Sequence, residues 1–422
     1  MASPLPTMET AHATVLAIGT ANPAKCVAQE EYVDWYFRVT KSDHLVDLKA
    51  KMKRMCDKSG IRKRHLCLTE DMIAAHPELL DRAAPSLDAR LGIARDAVPE
   101  MAMAAAARAI AEWGRPAADI THLVVSTNAG AHAPGADARL AELLGLRATV
   151  QRTVLYMHGC SAGCSALRLA KDIAESNRRA RVLVACAEVF LIALAAPDEA
   201  RLDALVAASL FGDGAGAVIV GTDGDDDPGA PVEHPPIFHM LSASQTTIAG
   251  THQRVSLQLS ERGLDYKISG EVPALVRAGI ERCMEDALAP LGLAGCGGGW
   301  NHLLWAMHPG GRAILDSYEA GLRLEPGKLA ASRRPGKLAA SRRVLSEYGN
   351  MSGAAIIFVL DELRRRRRRR DGGEEEEEES DEYCEWGAMV GVGPGLTIET
   401  MVLRASATGG HVGDEVKKST TA

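Results

Sequence analysis

The feature that most restricts the fold is an alternation running along the whole chain, in which short branched apolar runs are separated by Ala-, Leu- and Arg-rich stretches of helical period. THLVVST (121–127), ARVLVACAEV (180–189), GAGAVIVG (214–221), HLLWAMHP (302–309), GAAIIFVLDEL (353–363) and LTIETMVLRAS (396–406) have strand length and strand-like composition. MAMAAAARAIAEW (101–113) and SALRLAKDIAESNRR (165–179) read as helices. This is the rhythm of an α/β protein. A polar, Pro-rich stretch at 222–236 separates two parts of comparable size, giving an N-terminal half at 1–235 and a C-terminal half at 236–422.

A length of 422 residues suffices for one large body or two fused domains, and a 46% hydrophobic content excludes a wholly disordered or collagen-like chain. Only 4% of residues are aromatic, so the core is expected to be built from small and branched side chains. Nine cysteines, an odd number without repeating spacing, point to free thiols in a reducing compartment, and the expected location is the cytoplasm. The first residues carry no basic and apolar leader, and no run reaches 18 apolar residues, so neither secretion nor stable membrane association is expected. A net charge of −7 disfavours nucleic acid as a partner.

Two segments read as insertions. PGKLAASRR occurs at 326–334 and again at 335–343. One copy, taken as 335–343, is expected to loop out. Seven arginines (364–370) precede six glutamates (374–379), and 364–385 is expected to be a solvated loop. That segment holds seven Arg against ten acidic residues and so supplies −3 of the −7.

The strongest chemical signal is HGCSAGCSALRLAKD, following the strand-like TVLY. Cys160 falls between a strand and the first turn of a helix, where free backbone N–H groups and the helix dipole favour a thiolate. A single cysteine is ordinarily structural, and Cys164, one turn on, is expected to face the core. No second Cys/His pair has ligand spacing, so no metal site is expected. His308, in WAMHPGG, ends an apolar run and is the candidate partner for the thiol. Asn350, in LSEYGNMSG, either caps a turn or donates hydrogen bonds into a cavity. Phe211, in SLFGDGAGAVIVG, is one of only five phenylalanines. Its glycines lack a following GK[ST] or a GxGxxG pattern, so phosphate binding there is not expected.

The motifs GCxxG around Cys160, LFGDGAGAVIVG, AMHPGG, LSEYGNMSG and GPGLTIET occur together in this order. With them the chain resembles the chalcone and stilbene synthase superfamily, the plant type III polyketide synthases, from about residue 15 to 403. The resemblance implies a thiolase-like five-layered αβαβα fold of two similar halves, a homodimer, and no bound cofactor, with CoA thioesters as substrates. It implies Cys160 as nucleophile, His308 and Asn350 as the pair that holds the enolate oxygen of decarboxylating malonyl-CoA, and Phe211 as the gatekeeping ring. Lys51, Arg54 and Lys58, spaced one turn apart, match a basic pattern for CoA phosphates, and Gly310 matches the scaffold of the tunnel.

The implied substrate cavity takes in Asn128, Ala133, Glu188, Ala193, Leu257, Tyr266, Ser352, Val392 and Pro394. Leu257 and Tyr266 replace Gly and Phe of chalcone synthase, so Leu257 fills volume that Ala193 and Ala133 return elsewhere. Asn128, Ser352 and Glu188 match the grass curcuminoid synthase type, which has Tyr at the Ala193 position and Gly at the Tyr266 position. Two other readings stay open: a ketoacyl synthase III-like condensing enzyme, and a catalytically impaired homologue with a structural role. The basic trio favours free CoA over a carrier protein.

Overall fold

The computed structural model describes residues 12–81, 83–222, 235–292, 299–325, 336–371 and 384–406. The strands are β1 Ala13–Ala21, β2 Cys26–Ala28, β3 Lys63–His65, β4 His122–Thr127, β5 Gln151–Tyr156, β6 Val182–Glu188, β7 Gly214–Thr222, β8 Phe238–Thr247, β9 Val255–Ser260, β10 Gly263–Ile268, β11 Leu304–Met307, β12 Trp386–Gly393 and β13 Thr397–Ala405. Nine of them follow one another in the order β11-β12-β13-β8-β1-β7-β6-β4-β5. The two halves of this sheet meet at a three-residue antiparallel pairing, Ala13 to Met240 through Val15 to Phe238.

Strand alternation builds the layers. In β6, Val182, Val184 and Cys186 face the helices Ala162–Ser176 and Ala355–Asp371, while Leu183, Ala185 and Ala187 face the helix Leu87–Trp113. In β12, Met389 faces the same two inner helices, and Ala388, Val390 and Val392 face the helices Val272–Leu288 and Arg312–Leu322. Helix, sheet, helix, sheet, helix is the five-layered order that the resemblance implies. Each buried branched side chain adds roughly 1.5–3 kcal/mol of transfer free energy. Alanines Ala94, Ala102, Ala105, Ala106 and Ala109 keep the outer helix close to the sheet, and Ser86 caps its start, its Oγ accepting from the Ala89 N–H at 3.0 Å.

Three expectations are corrected. GAAIIFVLDEL is not a strand: Ser352–Ala354 is a 3₁₀ turn and Ala355–Asp371 is a helix. Residues 355–360 lie between both halves of the sheet and are all buried and apolar, so this part carries no helical stripe to distinguish it from a buried strand. The second copy of the repeat does not loop out. Leu338, Ala340 and Ser341 are buried, Ala339–Tyr348 is a helix, and Ser341 Oγ accepts from the Met307 N–H at 3.1 Å. The first copy, 326–334, lies outside the described residues.

The arginine run is not a loop either, because it extends the inner helix as far as Asp371. Arg364 is buried, with Nε 2.6 Å from Asp361 Oδ1, Nη1 on Glu112 and Nη2 donating to Ile18 O at 3.0 Å. Arg365 and Arg366 pair one turn back with Asp361 and Glu362. The glutamates 374–379 lie outside the described residues.

Candidate active site

Cys160 sits in the 3₁₀ turn Gly159–Ser161 between β5 and the inner helix Ala162–Ser176. This helix approaches the turn after Asn350 closely. A Cβ on Gly163 would lie 2.2 Å from Gly353 O, so only glycine allows the contact. Asn350 Nδ2 is thereby 3.7 Å from Cys160 Sγ, and it donates to Gly310 O at 3.2 Å. Its Oδ1 accepts from the Ser352 N–H at 2.8 Å.

His308 follows β11, its N–H bonded to Val390 O at 2.8 Å, and it is 1% exposed. A side chain on Gly310 would meet His308 Nε2 at 3.6 Å, so the imidazole lies against the residue whose carbonyl holds Asn350. Neither ring nitrogen has a hydrogen-bond partner among the described residues. Two unused imidazole nitrogens against the residue that holds the Asn350 amide suit a ligand that brings its own oxygen.

Burial favours the neutral forms of both groups. It pushes the Cys160 thiol up to about 11, against the hydrogen bonds of Asn350 and Ser352, and lowers His308 to about 3. The thiolate expected from a helix start is therefore opposed by desolvation in this dry setting.

Phe211 is buried, its ring centroid 4.7 Å from that of Tyr266 and 6.1 Å from that of Phe190. Phe211 and Asn350 form an isolated parallel bridge, and Cys160, Ala193 and Tyr266 pack against the cluster that contains Phe211. Leu257 and Tyr266 are register partners across β9 and β10. A side chain on Gly159 would meet Pro394 Cδ at 2.7 Å and Leu257 Cδ1 at 3.4 Å, which puts both residues beside the turn that carries Cys160. Val392 is buried two residues before Pro394.

Behind Cys160 runs a buried polar chain. Asn128 Nδ2 donates to Glu188 Oε1 at 2.9 Å and to Ser352 Oγ at 3.0 Å. Asn128 N donates to Glu188 Oε2 at 3.0 Å, and Asn128 Oδ1 accepts from the Gly159 N–H at 2.9 Å. Ser352 takes φ 48, a left-handed value uncommon outside glycine, with its hydroxyl towards Asn128 and its N–H towards Asn350. Burial raises Glu188 to about 8 despite the two bonds from Asn128.

Two groups of expected residues lie apart. Ala133 is exposed and contributes nothing to this cluster within the chain. Lys51, Arg54 and Lys58 lie on the helix Val46–Lys58, half-buried or exposed, and form no ion pair among the described residues, so their charges stay available. A surface cleft of about 620 Å³ lined by Lys25, Trp35, Arg38 and Lys49 contains none of the expected residues. Its cations are largely satisfied, Lys49 by Asp34 and Asp43 and Arg38 by Glu70.

Two further buried residues, Arg64 and Asp213, carry no motif of their own that marks them in the sequence. Arg64 is fully buried, and its Nη1 donates to Phe211 O at 2.7 Å. Asp213 accepts from the backbone N–H groups of Cys67 and Phe190, each at 2.6 Å, and burial raises it to about 6. In IRKRHLCL, Arg64 is one charge among several. Only a two-residue period with Leu66 and Leu68, all three buried, sets it apart.

The sequence profile described as chalcone and stilbene synthases, N-terminal domain, matches residues 6–224, and the corresponding C-terminal domain profile matches residues 239–407. Bisdemethoxycurcumin synthase of Oryza sativa subsp. japonica is 55% identical over 395 residues, covering 94% of this chain and 93% of that protein. Members of the family use CoA thioesters and are typically homodimers. The chain belongs to the chalcone and stilbene synthase family and is a type III polyketide synthase, an acyltransferase that joins malonyl-CoA to a starter by decarboxylative Claisen condensation.

Proposed function

We propose that this synthase takes a phenylpropanoyl-CoA starter of the p-coumaroyl type and extends it with malonyl-CoA to a short β-keto product of the curcuminoid kind. The observation that carries this reading is the buried chain Glu188–Asn128–Ser352 directly behind Cys160. The name of the Oryza relative agrees with it. Leu257 and Tyr266, paired beside the nucleophile turn, leave less room for repeated extension than glycines would.

In this mechanism the Cys160 sulfur attacks the starter thioester while its proton moves to His308, and His308 returns that proton to the departing CoA sulfur, leaving an acyl-enzyme. Malonyl-CoA then loses CO2. The enolate oxygen accepts from His308 and Asn350 Nδ2, and Phe211 supplies an apolar wall next to the departing carboxylate. The enolate carbon attacks the Cys160 thioester, and the thiolate leaves. Neutral His308 can act as a donor here, and its low basicity makes it willing to return a proton.

CoA phosphates enter over Lys51, Arg54 and Lys58, whose charges form no ion pair among the described residues, with Gly310 at the tunnel floor. The active assembly is a homodimer of chains in the cytoplasm. Each chain comprises an N-terminal half, 1–235, with the nucleophile and a C-terminal half, 236–422, with His308 and Asn350. Among the described residues, no helix is long and apolar enough to cross a membrane.

The test is incubation with malonyl-CoA and a panel of p-coumaroyl-, feruloyl-, benzoyl- and C6–C18 acyl-CoAs, with products read by mass spectrometry. Diketides or coupled diarylheptanoids from the first two starters are expected. Exclusive formation of alkylpyrones from fatty acyl starters would contradict the reading.

A further inference from the structure

Resting on that reading, we propose that Arg64 is a positioning residue for malonyl decarboxylation, locking Phe211 in register with Asn350 so that gate ring and amide meet the same thioester. Two successive peptide units carry the argument. Asn350 N donates to Leu210 O at 2.9 Å, and Gly212 N donates to Asn350 O at 3.1 Å. The carbonyl between them, on Phe211, turns the other way and is held by Arg64 Nη1 at 2.7 Å, which also takes Ala208 O at 2.8 Å. Ala208 belongs to the last turn of the helix Leu202–Leu210, whose end carbonyls have no helical partner. Arg64 therefore ties the helix end, the gate residue and the Asn350 bridge into one unit.

The stem of Arg64 is fitted to this place. A Cβ on Gly349, at φ +70 and next to Asn350, would lie 2.9 Å from both Cγ and Cδ of Arg64. One on Gly212 would lie 3.5 Å from its Cβ. The guanidinium carbon stands 3.8 Å over the Tyr32 ring, and Nε and Nη2 have no hydrogen-bond partner among the described residues. A site that needed only volume would be filled at lower desolvation cost by an apolar chain. What Arg64 supplies and an apolar chain cannot is the donor to Phe211 O. Asp213 completes the unit from the other side, binding the N–H of Phe190, whose ring stacks on that of Phe211. Cys160 has no bond to Arg64.

The experiment compares the full chain with Arg64→Met and Arg64→Lys. It follows malonyl-CoA decarboxylation, alkylation of Cys160 by iodoacetamide, and the thermal midpoint. Arg64→Met is expected to fold, to alkylate at the parent rate, and to lose about tenfold or more in kcat at a KM within about twofold, as for a misaimed donor. Arg64→Lys, keeping a cation of shorter reach, is expected to fall between the two. Parent kcat in folded Arg64→Met, or kcat and alkylation falling together in proportion to lost folded protein, overturns the proposal. If Arg64→Met does not fold, folded Arg64→Lys decides: parent kcat overturns the proposal, and a loss of threefold or more at unchanged alkylation supports it. A parent chain that fails to decarboxylate malonyl-CoA sinks the catalytic reading instead. A crystal structure of the folded variant then judges Arg64 alone, since the Asn350 Nδ2 to Gly310 O bond should be broken.

Discussion

Replacing Asn128 with alanine tests how far the site depends on the polar chain behind Cys160. The side chain makes three hydrogen bonds, to Glu188 Oε1, to Ser352 Oγ and from the Gly159 N–H, all among buried groups. Alanine leaves the Gly159 N–H without an acceptor and Glu188 without one of its donors. At about 1–3 kcal/mol for each orphaned group, the loss is on the order of 4 kcal/mol. For a 422-residue chain, an unfolding entropy of about 2.1 cal/mol/K per residue turns that into a fall of ~4–5 °C in thermal midpoint. Because Gly159 directly precedes Cys160, acylation by p-coumaroyl-CoA should slow about tenfold as well. Asn128→Asp restores the acceptor for Gly159 but sets a second carboxylate against Glu188, so it should be less stable at pH 8 than at pH 6. Differential scanning fluorimetry and rapid-quench acylation read both effects. A midpoint for Asn128→Ala within 1 °C of the parent, with parent acylation, would refute the reasoning.

Three further outcomes are expected. Arg364→Ala removes the buried partner of Asp361 and Glu112, leaving, among the described residues, Asp361 only Arg365 and Glu112 only Arg368 and the Ile18 N–H, and should cost about 3 kcal/mol, whereas Arg368→Ala, at a side chain 62% exposed, should change stability by about 0.5 kcal/mol or less; equal midpoints for the two would contradict the buried placement of Arg364. Removing one PGKLAASRR copy yields the same chain whichever copy is cut, and residues identical to 335–343 still lead into the helix at Ala339. Thermal midpoint and product yield should therefore stay at parent values, and a loss of either would show that the extra copy is needed. Glu188, raised to about 8 from an ordinary 4.5, keeps a proton in the folded chain that the unfolded chain has lost between those values. Its contribution is thus full below the lower value and is lost as pH rises through the upper one. Glu188→Gln should flatten the fall in thermal midpoint between pH 5 and 9, and an unchanged slope would assign that fall to other groups.

Legibility in the sequence followed the physics of each segment. β6 and β7 were readable because strands buried on both faces are short, branched and apolar, and the turn at Cys160 was readable because small residues crowd a strand-to-helix junction. GAAIIFVLDEL misled for the same reason that β6 did not. The stretch 355–360, enclosed by both halves of the sheet, shows no polar stripe, and its β-branched residues imitate a strand. The arginine run was misread because composition is blind to pairing. Arg364 is neutralised by Glu112, which lies far away in sequence. The site residues came from motifs, whereas the Phe211–Asn350 bridge and its Arg64 support arise from contacts between segments that no local pattern joins. Ala133, expected in the cavity, is exposed on the isolated chain.

The central claim is that Cys160 alone carries the growing acyl chain. Incubating the protein with p-coumaroyl-CoA, quenching in acid and mapping peptides by mass spectrometry reads it directly. The account predicts a single coumaroyl adduct on the peptide containing Cys160, with none on Cys164 or Cys186, which are buried in the core, and it predicts that malonyl-CoA discharges the adduct. An adduct on another cysteine, or polyketide formed by Cys160→Ala, would contradict it.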